Sequence, residues 1–208
     1  MHYNEEYFKW QKSSGEFGAK ADRFKFINHV NENLNVIDFG CGGAYLLASL
    51  PGKNKIGIEI NDSAKKQAKE NGINVVSSIN EIEDDWADII ISNHALEHCQ
   101  NPLLELKNLY QKLKNGGKII FVTPLEVYTT YTIDDINQHL FTWSPQNIGN
   151  LFTHAGFKVD ESKIIKFRWP PYARHIYDKL GKAVFGIVAK IYSRWKGDLF
   201  EVITIAQK

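Results

Sequence analysis

The chain has little cysteine: only Cys41 and Cys99 occur among its 208 residues, and no CxxC pair. A disulfide framework and a cysteine-based zinc site are therefore excluded, and a reduced, cytoplasmic protein is the simplest expectation. No run of eighteen apolar residues exists, so no segment is expected to cross a membrane as a helix. The opening residues, Met1-His-Tyr-Asn-Glu-Glu6, are polar and acidic, the opposite of a secretory signal. Internal repeats and low-complexity stretches are absent as well.

The rest has the composition of a soluble globular protein, 43% hydrophobic and 24% charged. Its length suits one α/β domain with a sizeable core and is too short for two ordinary ones. The net charge of +1 hides an uneven distribution. Lys163, Lys166, Arg168, Arg174, Lys179, Lys182, Lys190, Arg194 and Lys196 face a single acid, Asp178, so that segment carries +8 and the rest −7. A basic C-terminal region on a mildly acidic body suggests a partner of opposite charge.

Residues 3–33 read as helical and aromatic, with a break near Ser13-Ser14-Gly15. Strands are expected at Leu34–Phe39, Lys55–Ile60, Ile73–Ser77, Ala87–Ser92 and Lys118–Thr123, with helices at Ser63–Asn71 and Pro102–Leu113 between them. Strands alternating with helices of about ten residues mark βαβ units and a parallel sheet. The strands lack inside/outside alternation, as they should when helices cover both faces. The pattern loosens from Leu125 to Gln138, as an active-site loop would. Ser144-Pro145 then opens a helix that Gly156 ends, and Phe157–Phe167 reads as a strand. After Pro170-Pro171, apolar residues at 176, 180, 184, 187, 191 and 195 form a helical stripe, expected to face the core. Asp198–Lys208 closes as a strand. The expected plan is one domain: a helical lid over 1–33, a core over 34–167, a helical insertion over 168–197 and a final strand.

A strand ending in glycines lets a ligand approach the backbone closely, and Val36-Ile-Asp-Phe-Gly-Cys-Gly-Gly-Ala44 has that form. Nucleotide and dinucleotide sites share the device. Here Tyr45 stands where a dinucleotide fingerprint needs its third glycine, and no GK[ST] follows, which excludes a phosphate-loop NTPase. Glu59, about twenty residues after Asp38 at the tip of the second strand, is placed to accept bonds from two ribose hydroxyls. That suits an adenosine-type ligand without a 2′-phosphate.

Five segments, in order, resemble the class I S-adenosylmethionine-dependent methyltransferases, and most of all the small-molecule group with a Leu-Glu-His motif after the fourth strand. They are Val36–Ala44, Ile58-Glu-Ile60, Asp88–His98, Leu113–Pro124, and His139–Ile148 with Ala155-Gly-Phe157. The resemblance spans roughly residues 34–160. It implies a Rossmann-like, seven-stranded, mostly parallel sheet with helices on both faces, and S-adenosylmethionine as cofactor. By it, Asp38, Gly40, Cys41 and Gly42 line the methionine moiety, Glu59 and Ile60 the ribose, Ser78 and Ile79 the adenine, and Asn93 the crevice. Ala44 stands in place of a third glycine, and Ser77-Ser78 in place of a frequent acid.

His94-Ala-Leu-Glu-His98 also matches a zinc pattern, H-x-x-E-H, but that pattern needs a regular helix and a third ligand. No metal is expected, and Glu97 and His98 read as a cap or bonded pair at a loop–helix junction. Methyl transfer from a sulfonium mainly needs positioning, whereas a hydroxyl acceptor also needs a base. His139 is the first candidate base and His94 the second. No Asn/Asp-Pro-Pro-Tyr motif follows the fourth strand, which argues against an exocyclic-amine nucleic-acid methylase. The expected acceptor is an oxygen of a sugar, sugar-nucleotide or other anionic metabolite, as in polysaccharide biosynthesis. The aromatic N-terminal helix would act as a lid, with Tyr7 and Trp10 near the sulfonium. The basic helix has three readings: a solvated helix, a site for an anionic acceptor, or contact with an anionic membrane through residues 172–195. Rivals are a silent cofactor-binding partner subunit and a nucleic-acid or protein methyltransferase; extended nucleic-acid binding is not expected.

Overall fold

The computed structural model describes residues 5–127, 130–133, 135–196 and 199–208; for residues 5–11, 13 and 199 only the backbone is described. Seven strands form one sheet: β1 (Asn35–Phe39), β2 (Asn54–Ile58), β3 (Asn74–Val76), β4 (Ala87–Asn93), β5 (Leu113–Glu126), β6 (Lys158–Ile165) and β7 (Leu199–Gln207). Their order is β3-β2-β1-β4-β5-β7-β6. The first five are parallel, and β7 runs antiparallel between β5 and β6. The expected Rossmann-like sheet is therefore present.

Among the described residues, six α-helices flank these strands: α1 (Glu5–Ala21), α2 (Tyr45–Ser49), α3 (Asp62–Glu70), α4 (Pro102–Lys112), α5 (Pro145–Ala155) and α6 (Ala173–Lys196). Local chemistry sets their ends. The Asn61 side chain accepts from the Ser63 and Ala64 N–H groups at the start of α3. Ser144 and Asn147 form a reciprocal capping box on α5, with Pro145 in its first turn and Gly156 at φ 109 closing it.

Successive residues of the central strands serve different cores. Val36, Ile89 and Ile91 pack on one face with Leu47 and Leu50. Ile37, Ile90 and Phe121 pack on the other with Leu106, Leu109 and Phe152. Ile89, Ile90 and Ile91 are at most 1% exposed, and each contributes roughly 1.5–3 kcal/mol of burial. That is why β4 reads as an unbroken apolar run.

Two expectations about the flanking helices are corrected. Helix α1 runs unbroken through Ser13-Ser14-Gly15. Glycines there permit close packing: Gly15 lies against Tyr45 and Gly18 against Trp169. The chain leaves the helix only after Ala21, in two short 3-10 turns. Helix α6 bends at Gly181, whose φ of 80° and ψ of 167° are not helical. Its buried face is Phe185, Ala189 and Ser193, joined to Phe17, Ala21 and Phe167 in a third apolar cluster. Of the stripe expected to face the core, Ile176 packs against that cluster, but the rest points outward, with Leu180 59%, Ile187 60%, Ile191 61% and Trp195 78% exposed. No described helix is long and apolar enough to cross a membrane.

Candidate functional site

The chain leaves the sheet centre at β1, winds outward to β3 and returns to β4, so the C-terminal ends of β1 and β4 splay around a crevice. A cavity of about 540 Å³ opens there. One wall is Asp38 with Gly40–Gly43, the floor includes Asn93 and His94, and the far wall carries His98, Glu126 and His139. Residues Lys12 to Asp22 of α1 and the turn after it, together with Trp169, cover one side. The side chains of Tyr7 and Trp10, expected near the sulfonium, lie outside the described residues.

The glycine loop is held from behind. Gly40 and Cys41 N–H both donate to the Ile58 carbonyl (3.0 and 3.1 Å), and Ala44 N–H donates to Cys41 O (2.8 Å). Gly42 N–H donates to Glu59 Oε2 at 2.9 Å, and Asn61 N–H donates to Oε1 at 2.8 Å. The N–H groups expected to face a ligand are thus turned inward, toward β2 and Glu59. The glycines supply close approach instead. At Gly40, φ is 73° and a Cβ would overlap the Ala95 methyl. Ala44 tolerates a φ of 55° in place of the expected glycine. Helix α2 is only five residues long, so its dipole adds little.

The other predicted cofactor residues sit unequally. Asp38 is 2% exposed; burial, with Glu59 nearby, pushes its carboxyl up to about 8. Burial raises the Cys41 thiol, whose sulfur packs on Gly57. Burial also raises Glu59, against the backbone donors that stabilise its charge. Ile60 is 63% exposed beside it. Ser78 caps a 3-10 turn, and Ile79 is buried in the core, so neither side chain lines the cavity. Asn93 lines it, with a buried Oδ1 that has no hydrogen-bond partner.

The floor and far wall contain buried charge that spacing did not reveal. Lys25 Nζ lies 2.7 Å from Glu201 and 3.3 Å from Asp22, with its side chain fully buried. His94 Nε2 lies 2.8 Å from the same Glu201 oxygen, and its Nδ1 is 3.4 Å from Glu97. Trp169 Nε1 donates to Asp22 at 3.3 Å. Burial alone would raise Glu201, but Lys25 and then His94 hold it down, to about 2. Burial would lower His94, but its bonds to Glu201 and Glu97 raise it to about 10. An imidazole charged at neutral pH has no lone pair to offer, so His94 serves as a donor to Glu201 with Glu97 beside it, rather than as the base its position suggested.

His139 is oriented differently. Its Nδ1 is 2.8 Å from Glu126 Oε2, which leaves Nε2 facing Glu97, 4.0 Å away. Burial would lower its pKa, but the Glu126 bond together with the charges of Glu97 and Glu126 outweighs it, and the net shift is upward. The rings of His98 and His139 meet edge to face, 4.7 Å apart. The H-x-x-E-H segment is no helix: His94 has φ 58°, and Leu96–His98 make a single 3-10 turn. Glu97 is no cap either, since it is fully buried and neither side-chain oxygen accepts a hydrogen bond.

Comparison with known proteins agrees with this architecture. A relative from Rickettsia canadensis, a ubiquinone biosynthesis O-methyltransferase, is 28% identical over 188 residues, covering 74% of this chain and 80% of its own. Another of that name, from Hydrogenovibrio crunogenus, is 28% identical over 142 residues; the match covers 60% of this chain and 59% of that one. A SAM-dependent methyltransferase structure from Thermotoga maritima aligns with a TM-score of 0.68 at 18% identity, covering 98% of this chain and 95% of that one. One from Archaeoglobus fulgidus aligns at 0.63 and 20% identity, covering 97% and 99%. At such identity these structures speak to the fold. The family model described as a methyltransferase domain matches residues 7–162, most of the chain and both walls of the cavity, and the chain belongs to that family.

Proposed function

We propose that the chain transfers the methyl group of S-adenosylmethionine to an oxygen of a small-molecule acceptor. The observation that carries this reading is the direction of the loop N–H groups. With Gly40, Cys41 and Gly42 donating back to β2 and Glu59, and Ala44 to Cys41, these four N–H groups are not offered to a pyrophosphate as those of dinucleotide and phosphate loops are. What it offers is a close, unobstructed surface beside a buried carboxyl, Asp38. A cationic ligand would restore the charge that burial removes from that carboxyl, and this fits an amino acid sulfonium rather than a phosphate.

S-adenosylmethionine, when bound, supplies a methyl on positive sulfur that an aligned nucleophile can take. The residues provide the rest. Glu59 clamps the loop and keeps lone pairs for ribose hydroxyls, the exposed Ile60 side chain offers an apolar surface beside them, and Asn93 offers an unpaired acceptor on the floor. Helix α1 covers one side and would exclude water as a lid. On the far wall we assign the acceptor's proton to His139, because Glu126 fixes its tautomer and leaves Nε2 toward the cavity side.

For the acceptor, the sequence suggested sugars or anionic metabolites, but the relatives' names point to ubiquinone biosynthesis. The loop after β5, which supplies Asn137 to the cavity, also exposes Val127 (63%), Tyr131 (88%) and Ile133 (81%). Exposed apolar side chains on a loop that reaches the cavity favour a ring-bearing, lipophilic hydroxyl compound over a sugar. Labelled-methyl transfer against polyhydroxylated aromatic rings, with sugar nucleotides alongside, tests the choice. Transfer to sugars alone would reverse it, and tight cofactor binding without any transfer would favour a silent partner subunit.

A second surface bears on where this happens. Leu180, Val184, Ile187, Ile191 and Trp195 lie along the outer side of α6, and the helix carries six basic residues against Asp178. We propose that this side docks on an anionic lipid surface. Self-association through it would oppose two rims of like charge, whereas anionic headgroups complement both features. Binding to phosphatidylglycerol vesicles, but not to phosphatidylcholine, tests it; a dimer in light scattering that Ile187→Ser dissociates would instead identify a copy interface.

A further inference from the structure

The nearest cationic neighbour of Glu97 is the His94 imidazole, whose Nδ1 stands 3.4 Å from Oε1. The Glu97 side chain is fully buried at the base of the far wall, yet neither oxygen accepts a hydrogen bond. His94 supplies charge there without a well-formed hydrogen bond, so both carboxylate oxygens keep the lone pairs that a bound cation would use. Two histidines stand where such a cation would find further ligands. One atom each from Glu97, His98 and His139 lie within 4.8 Å of one another. The three come from the turn after β4 and the segment after β5, so no single sequence motif contains them.

We infer that Glu97, His98 and His139 hold a divalent transition-metal cation, such as Zn²⁺ or Mn²⁺, at the acceptor wall of the cavity. Two imidazoles and one carboxylate form a donor set that suits such ions and leaves coordination positions open. His139 already has the outer bond that a ligating imidazole needs: Nδ1 is paired with Glu126 at 2.8 Å, so Nε2 is the free nitrogen, and it faces Glu97. His94 takes no part, because its Nε2 is committed to Glu201. The zinc pattern visible in the sequence therefore names two correct residues and one wrong one, and its missing ligand arrives from His139.

His98, Glu126 and His139 all line the cavity, so the open positions of the cation face the bound acceptor. This inference rests on the proposed oxygen acceptor and deepens it. A hydroxyl on the cation gives its proton to water more readily; the oxygen pair then forms the new bond to the methyl carbon while the sulfur–carbon pair returns to sulfur. The cation takes over the activation assigned above to His139 alone.

The test is metal binding, read without turnover. The full chain is stripped with a chelator and titrated with Zn²⁺ by calorimetry and with Mn²⁺ by electron paramagnetic resonance. One equivalent per chain is expected. His139→Ala and His98→Ala should abolish saturable binding, and Glu126→Gln should weaken it roughly 10–100-fold through the lost outer bond. Glu97→Gln, buried and a risk to folding, is read only if its circular dichroism matches the parent; the two rim histidines decide otherwise. Absence of stoichiometric binding, or binding unchanged in His139→Ala, overturns the site. Lost turnover in His139→Ala without any metal binding would sink the cation and leave the methyl-transfer reading intact. Metal binding without transfer to any oxygen acceptor would do the reverse.

Discussion

The two walls of the cavity are built from different materials. The cofactor wall is backbone: a glycine loop tied by its own N–H groups to β2 and to one acid, Glu59. The opposite side is charge, with Asp22, Lys25, Glu97 and Glu201 largely buried and His94 a third exposed, drawn from both ends and the middle of the chain. A backbone wall specifies shape and accepts one kind of ligand. A charged wall costs desolvation but keeps polar groups ready where a proton has to move. Substitutions should therefore fail in different ways on the two sides.

The largest effect is expected at Lys25. Lys25→Met leaves buried Asp22 without its cation and Glu201 with His94 alone, and should destabilise the fold by about 3–5 kcal/mol in chemical denaturation. A loss under 1 kcal/mol would mean that the charged side is more hydrated than its burial indicates. Next is Gly40→Val, which needs a β-branched residue at φ 73° and a methyl where Ala95 already stands. Cofactor affinity should fall at least about a hundredfold, roughly 3 kcal/mol, in calorimetric titration. Smaller again is the acid response. Glu201 sits at about 2 in the folded chain, below its unfolded value, so its contribution is complete above that unfolded value and is lost as pH falls toward 2. Glu201→Gln should flatten that part of the acid-denaturation curve. Least of all, Ile187→Ser with Ile191→Ser should leave the melting temperature within a few degrees, since both are already exposed, while vesicle binding is lost.

The same division explains what could be read from the chain. The glycine-loop wall, which we assign to the cofactor, is legible because it is local: strand, glycines and Glu59 fall at fixed short intervals, and a buried parallel strand such as Ile89-Ile90-Ile91 declares itself. The inward turn of the loop N–H groups is not, because it depends on Ile58 and Glu59 bonding back across strands. The charged side joins the pairs 22/25 and 94/97, each three residues apart, to 126, 139 and 201, and no spacing relates these groups to one another. Lys25 between Phe24 and Phe26, and Glu201 within an apolar strand, were the only local hints. The period of α6 was visible, but a period does not say which side is covered. The covering face uses Ala189 and Ser193 beside Phe185, small residues that carry little hydropathy signal.

The most direct measurement titrates S-adenosylmethionine into three proteins and then follows methyl transfer by each. Glu59→Ala should bind it at least about tenfold more weakly, because the loop loses its clamp at Gly42 and Asn61. His139→Ala should bind it as the parent does and transfer methyl more slowly. Unchanged affinity in Glu59→Ala, or cofactor binding lost in His139→Ala, would contradict the division of the cavity into a backbone-built cofactor wall and a charge-built acceptor wall.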